Sequence, residues 1–239
     1  MYKRVLLKLS GEALKEKSGL QIIDVKNLDK MAQVISSIHE EGVQIAVVIG
    51  AGNIWRGKLA SAIGIDPKQA DYMGMLGTVI NAVALSSNLK KHGVDSVVYS
   101  AIPAIEGVTV AYEREAANRS LEEGKVVFLS GGTGKPFYTT DTAATLRAIE
   151  LNIDAILMGK NGVDGVYDKD PTVYDDAKFI KDITFEEMLK SNLQIMDISA
   201  IELIKDKNIE IRVFSMENPR NFAKVCAGDP MGTTCKKGE

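Results

Sequence analysis

The sequence has 239 residues, of which 45% are hydrophobic and 26% charged. This is the balance of a globular protein of one domain, or one domain with lobes, and it excludes a disordered or collagenous chain. Lys and Arg number 29 against 32 Asp and Glu, a net charge of −3. That argues against nucleic acid as the main partner but leaves room for a local anion site. The two cysteines, Cys226 and Cys235, form no CxxC pair, and His39 and His92 stand alone. A disulfide scaffold is excluded, a structural zinc site is not expected, and a reducing compartment, the cytoplasm, is expected.

The predicted elements alternate. Arg4–Leu9 reads as a strand, and its apolar stretch of about five or six residues is too short for a signal-peptide core. Leu28, Met31, Ala32, Ile35 and Ile38 recur at helical spacing, so about Val25–Glu41 is an amphipathic helix. Val43–Ile49 is a continuous apolar strand. Asp66-Pro67 starts a helix that runs to about Lys91, with Asp as N-cap and Pro in the first turn. Within it, Tyr72–Leu89 is an uncharged run of 18 residues, seven of them Gly, Thr, Asn or Ser. That content suits a buried helix or a subunit contact better than a membrane span. Ser96–Tyr99, Val126–Leu129, Ala155–Met158 and Ile211–Phe214 are further strands. Tyr112–Glu123, Thr140–Glu150, Asp197–Lys207 and Asn218–Ala227 are further helices. Residues 159–182 read as an exposed excursion with short strands, and a break near Gly159 divides two lobes.

Nearly continuous apolar strands separated by helices predict an α/β fold, a mainly parallel sheet covered on both faces. In such sheets ligands gather beyond the carboxyl ends of the strands. Four glycine-bearing loops fall there: Ser10-Gly11, Gly50-Ala51-Gly52-Asn53, Ser130 to Pro136, and Gly159 to Gly162. Glycine in one such loop serves turn geometry as readily as a ligand. Four together, with Lys8 and Arg56 nearby, point to one or two phosphorylated ligands. Gly134-Lys135 is followed by Pro136, so the P-loop pattern fails. Gly50-x-Gly52 is followed by Trp55, so the dinucleotide fingerprint fails too. Phosphoryl transfer needs positioning and positive charge more than covalent help. Lys8 is either a phosphate bridge or a solvent-facing lysine. Asp141 and Asp197 are either helix caps or functional carboxylates. Asp71 borders the uncharged run and is either paired or ligand-facing. Tyr167 and Asp170 suit a base or ribose, or a turn.

Taken together, these segments resemble the bacterial uridylate kinases of the amino acid kinase superfamily. The resemblance is carried by YKRVLLKLSGEAL at 2–14, VVIGAGNIWRG at 47–57, DYMGM at 71–75, GTGKPFYTTDTAATLRAIE at 132–150, GVDGVYDKDP at 162–171 and MDISAIELIKDKNIEIRVF at 196–214. It covers nearly the whole chain, and the DYMGM and TG-PF-TTD pair is the specific part. It implies a three-layer αβα sandwich, with 1–158 mainly the acceptor lobe and 159–239 mainly the ATP lobe. The implied reaction moves the ATP γ-phosphoryl group to UMP with Mg²⁺. By resemblance, Lys8, Leu9, Ser10, Gly11, Gly52, Arg56, Asn161, Tyr167 and Asp170 bind ATP. Ala51, Asp71 and the segment Thr133, Gly134, Lys135, Pro136, Phe137, Tyr138, Thr139, Thr140 bind UMP. Lys8, Asp141 and Asp197 are implied catalytic residues, with Asp197 orienting the lysine and metal and Asp141 on the acceptor side. No metal ligand is assigned. A homohexamer is implied, activated by GTP and inhibited by UTP, with Glu16–Gln21 matching the GTP-linked region. Three departures stand out: Ala51 replaces a usual glycine, Lys135 stands where Asn is frequent, and the segment after Pro171 is short. A carboxylate or carbamate kinase, or a noncatalytic nucleotide- or oxoanion-binding protein, are the competing readings.

Overall fold

The computed structural model describes residues 1–16, 21–191, 193 and 195–238. In chain order the elements are β1 (Arg4–Leu9), α1 (Val25–Glu40), β2 (Gln44–Ile49), α2 (Pro67–Leu89), β3 (Ser96–Ser100), β4 (Val110–Ala111) and α3 (Arg114–Glu122). There follow β5 (Val126–Ser130), α4 (Thr140–Glu150), β6 (Ala155–Lys160), β7 (Val166–Tyr167), β8 (Phe179–Ile180) and β9 (Asp182–Thr184). The chain closes with α5 (Phe185–Lys190), α6 (Ile198–Ile204), β10 (Glu210–Ser215), α7 (Asn221–Cys226) and β11 (Thr233–Lys236).

Nine strands form one sheet in the order β4-β3-β5-β2-β1-β6-β10-β11-β9, and β7 with β8 makes a separate hairpin. β1 pairs in parallel with β2 on one side and β6 on the other, with Lys8 level with Val48 and Met158. The side chains of β1 alternate between the two faces. Val5, Leu7 and Leu9 enter one core with residues of α1, α2 and α7. Leu6 enters the other, with residues of α3, α4, α5 and α6. The result is the expected αβα sandwich, parallel except where β10 meets β11. The chain passes from β5 to β6 across β2 and β1, so the direction of winding reverses between β1 and β6. The crevice beyond those strand ends is where an open α/β sheet binds its ligand.

The caps follow the sequence. Asp24 accepts the Asn27 amide at the start of α1, and Asp66 accepts the Lys68 and Gln69 amides ahead of Pro67 in α2. Three helices are shorter than their sequence patterns. α3 begins at Arg114 because Val110–Ala111 pairs with β3 and the Tyr112 amide donates to the Ser100 carbonyl. Residues 205–207 follow α6, and 218–220 precede α7, as turns. The strands β4, β9 and β11 and the helix α5 are additions to the predicted set. β9 and β11 are short and carry polar alternating residues, so they lack the apolar run that marks the inner strands.

Candidate active site

Lys8 is the penultimate residue of β1, on the face that α4 covers. Its ammonium lies 2.6 Å from the Asp141 carboxylate, and both side chains are mostly buried. Asp141 is there because Thr139 caps α4, accepting the Thr142 amide, which places residue 141 in the first turn. The Thr142 and Ser199 hydroxyls are 3.1 Å apart, so the N-termini of α4 and α6 meet. Asp197 stands at the second of these N-termini without a side-chain capping bond. The ion pair that holds Lys8 is therefore made by Asp141, while Asp197 sits one helix away. A second lysine, Lys160, ends the adjacent strand β6 and donates to the Ile195 carbonyl at 3.0 Å. Burial and the charge of Lys8 push its ammonium below the usual lysine range, against the opposing pull of Asp141.

The glycine turns after β1 and β2 pack on each other. A Cβ at Gly11 would lie 2.5 Å from the Gly50 carbonyl and 2.4 Å from the Asn53 amide oxygen, so no other residue fits there. The turn after β2 is fastened to α2 by two buried amides. Asn53 and Asn81 exchange hydrogen bonds of 3.0 and 2.8 Å, and Asn81 also donates to the Gly50 carbonyl. The Ala51 methyl faces Gly77 of α2, where a Cβ would come within 2.7 Å of it. Arg56 is exposed and pairs with Glu12 at 2.6 Å, bridging the two turns.

Beyond these turns lies a cavity of about 320 Å³. Of the residues assigned to the acceptor, Ala51, Asp71, Thr133, Tyr138, Thr139 and Thr140 line it, as does Gly52. Asp71 accepts the Phe137 amide at 2.7 Å, tying α2 to the 131–139 loop. Phe137 is held at φ 69°, a left-handed conformation rare for an aromatic residue, and its side chain is exposed. Gly134 serves close packing: a Cβ there would meet the Ala101 carbonyl at 2.5 Å. Lys135 is exposed, and neither it nor Pro136 lines the cavity.

On the far side of Lys160, Tyr167 and Asp170 border a second cavity of about 490 Å³ that Lys160 also lines. The Tyr167 hydroxyl donates to Asp164 at 2.6 Å, which pushes its pKa up, and its ring packs edge-on against Phe179. Asp170 accepts the Thr172 amide and hydroxyl, and these bonds hold its carboxyl below the usual range. The fourth glycine turn is a packing feature at its start. A Cβ at Gly159 would meet Met216 and Phe222 within 2.8 Å. Asn161 is exposed at the tip of that turn.

Residues 3–215 match the model of the amino acid kinase family. The chain belongs to the amino acid kinase family. It is 50% identical over 225 residues to the uridylate kinase of Mycoplasma capricolum subsp. capricolum, covering 94% of each chain. Among solved structures it resembles the UMP kinase of Bacillus anthracis, with a TM-score of 0.95 and 39% identity, covering 100% of this chain and 97% of that one. The UMP kinase of Ureaplasma parvum superposes with a TM-score of 0.93 at 36% identity, covering 99% and 100%.

The fold of this amino acid kinase brings Lys8, Gly11, Gly52, Arg56, Asp71, Thr139, Thr140 and Asp141 to one edge, with Leu9 buried and Ser10 accepting the Glu12 amide in the turn after β1. Several residues of the site escaped sequence reasoning. Lys160 had a readable signal, a lysine closing an apolar strand as Lys8 does. The Asn53–Asn81 pair had none, because its partners are 28 residues apart. Arg147 is buried under the site; it lies 3.7 Å from the Tyr112 ring centroid, pairs with Glu150 and donates to the Gly132 carbonyl. Of Glu16–Gln21, residues 17–20 lie outside those described.

Proposed function

We propose that this chain is a UMP kinase that transfers the γ-phosphoryl group of ATP to UMP, giving ADP and UDP. The observation that carries the reading is the placement of two cavities on either side of the Lys8–Asp141 pair. One is lined by Asp71, Thr139 and Thr140, the other by Tyr167 and Asp170. In this reading residues 1–158 mainly hold UMP and 159–239 mainly hold ATP. Asp71 takes the ribose side of UMP, and the 133–140 loop, which includes Lys135, Pro136 and Phe137, closes over the base and phosphate. Backbone amides of Ser10, Gly11, Ala51 and Gly52 face the phosphates, and Asn161, Tyr167 and Asp170 take the adenosine side. Lys8 neutralises charge that accumulates between two anionic nucleotides, and Asp141 fixes its direction. The ion pair keeps the Lys8 ammonium aimed without covalent chemistry.

Mg²⁺ accompanying ATP binds through phosphate oxygens and one or two carboxylates rather than an all-protein cage. Among the described residues no group of three or more His, Cys, Asp or Glu is placed to hold a metal ion. Asp197, at the α6 N-terminus that meets that of α4 and without a side-chain cap bond, is the carboxylate that would take this role. When bound, the ion supplies positive charge to the phosphates.

We also propose a homohexamer with GTP activation and UTP inhibition, and a cytoplasmic location. Exposed Met73, Leu76 and Ile80 on α2 support a subunit contact. Cys226 and Cys235 are free and buried, as a reducing compartment requires, and no described helix is long and apolar enough to cross a membrane. The test of function is a coupled assay for ADP and UDP with UMP, CMP, dTMP and small carboxylates as acceptors. UMP should be preferred by a wide margin. Preference for a carboxylate, or nucleotide binding without UDP formation, would overturn the reading.

A further inference from the structure

Two cations, not one, close the strands that flank the crevice. Lys8 stands one residue before the end of β1 and is answered by Asp141. Lys160 ends β6, the neighbouring strand, two residues beyond the Met158 that is level with Lys8. Its ammonium has three donors, and one is spent on the Ile195 carbonyl at 3.0 Å. Among the described residues no carboxylate pairs with it within 4.0 Å. Lys8, the other lysine that a strand carries into this crevice, has Asp141 as its counter-ion; Lys160 has Lys8 as a neighbouring cation, which the more distant Asp141 offsets only in part. A half-buried ammonium facing another positive charge is relieved by an arriving anion. The space it faces is the 490 Å³ cavity that it shares with Tyr167 and Asp170.

Resting on the UMP kinase reading, we propose that Lys160 is a second catalytic cation, binding the donor's terminal phosphate oxygens and holding the γ-phosphoryl group beside Lys8 as it moves. In the step, a phosphate oxygen of UMP forms a bond to the γ-phosphorus. The bond from that phosphorus to the β,γ-bridging oxygen breaks, and its electron pair stays on ADP. Lys160 neither gains nor loses a proton. It offsets negative charge that spreads over the equatorial oxygens, a contribution concentrated in the transition state.

A purely structural lysine would only tether the Ile195 carbonyl to β6. Lys160→Gln separates the roles, because an amide still donates to a carbonyl but carries no charge. Lys160→Met and Lys160→Arg complete the set. Steady-state kinetics with ATP and UMP are read alongside UMP binding by fluorescence of Trp55, the one tryptophan, which lines the acceptor cavity. In the Gln and Met variants turnover should fall about 100-fold or more, by analogy with loss of one oxyanion donor. ATP binding by calorimetry should weaken, while the UMP dissociation constant stays within about threefold and Arg restores part of the turnover. A Lys160→Gln enzyme with near-normal turnover and ATP affinity would overturn the proposal while leaving the kinase reading intact. Absence of UDP formation by the unaltered chain would instead overturn the kinase reading.

Discussion

At the residue scale, the chemistry rests on charges whose partners are fixed by helix starts. Asp141 is in place because Thr139 ends the loop as an N-cap, and the pair it makes with Lys8 is shielded from solvent. Lys8→Ala should therefore lower turnover about 100-fold or more while changing UMP affinity little, as measured by steady-state kinetics with Trp55 fluorescence as the binding readout. Near-normal turnover would remove Lys8 from the reaction. Asp71 carries a different kind of contact. Its carboxylate accepts the Phe137 amide and so holds a non-glycine residue at positive φ. Lost charge-assisted bonds of this type cost about 1.5–3 kcal/mol. Asp71→Ala should raise the UMP Michaelis constant about tenfold or more. Asp71→Asn keeps an acceptor for the loop amide, so the difference between the two variants isolates what the carboxylate gives to UMP. Identical, unchanged constants in both would deny Asp71 a place at the substrate. The cysteines belong to the other extreme. Burial pushes the Cys235 thiol up to about 12 and the Cys226 thiol up to about 11, which makes both poor nucleophiles.

At the element scale, the turn after β2 shows how a departure from a family pattern is absorbed. Alanine at position 51 restricts the backbone, but its methyl is turned toward α2 and rests where Gly77 has no side chain. The amide at 51 remains free to face the cavity. Gly77→Ala would drive two methyl carbons to 2.7 Å, so the turn or the helix must shift. Overpacking of this kind costs about 1–3 kcal/mol. A double-mutant cycle tests it. Gly77→Ala alone should lower the melting temperature and weaken UMP binding, and Ala51→Gly with Gly77→Ala should recover most of both. Strict additivity of the two changes would show that the methyls do not meet. The inner elements were legible in the sequence for a physical reason: β1, β2, β5 and β6 are buried on both faces along most of their length, so each carries a continuous apolar stretch. The outer ones were not. β9 and β11 lie toward the sheet edge with alternating polar residues. α5 spans six residues, and its one readable signal is the capping box of Thr184 and Glu187. Gly159 reads as a candidate phosphate contact in sequence, yet its missing side chain makes room for Phe222. Only packing partners distant in sequence distinguish the two uses of glycine.

At the scale of the whole molecule, the long helix α2 joins the site to an exposed apolar face. One side of it carries Asp71, Thr78 and Asn81 to the acceptor cavity and the turn after β2. The opposite side leaves Leu76 and Ile80 each 50% exposed, with Met73 beside them at 37%. These three recur at i, i+3 and i+7, so they form one stripe, and the uncharged run in which they lie offers no ion to keep it in water. Covering that stripe with its equivalent on a second copy would remove apolar surface from water, at about 25 cal/mol per Å². A charge placed in it should do the reverse. Leu76→Glu and Ile80→Glu should each shift the protein from an assembly to smaller species in sedimentation velocity, with circular dichroism unchanged. Because Thr78 and Asn81 sit on the same helix, the dissociated forms should also bind UMP more weakly, coupling assembly to the acceptor site. A monomer at working concentration in the unaltered chain would defeat this account, and dissociation without any change in UMP binding would confine the stripe to assembly alone.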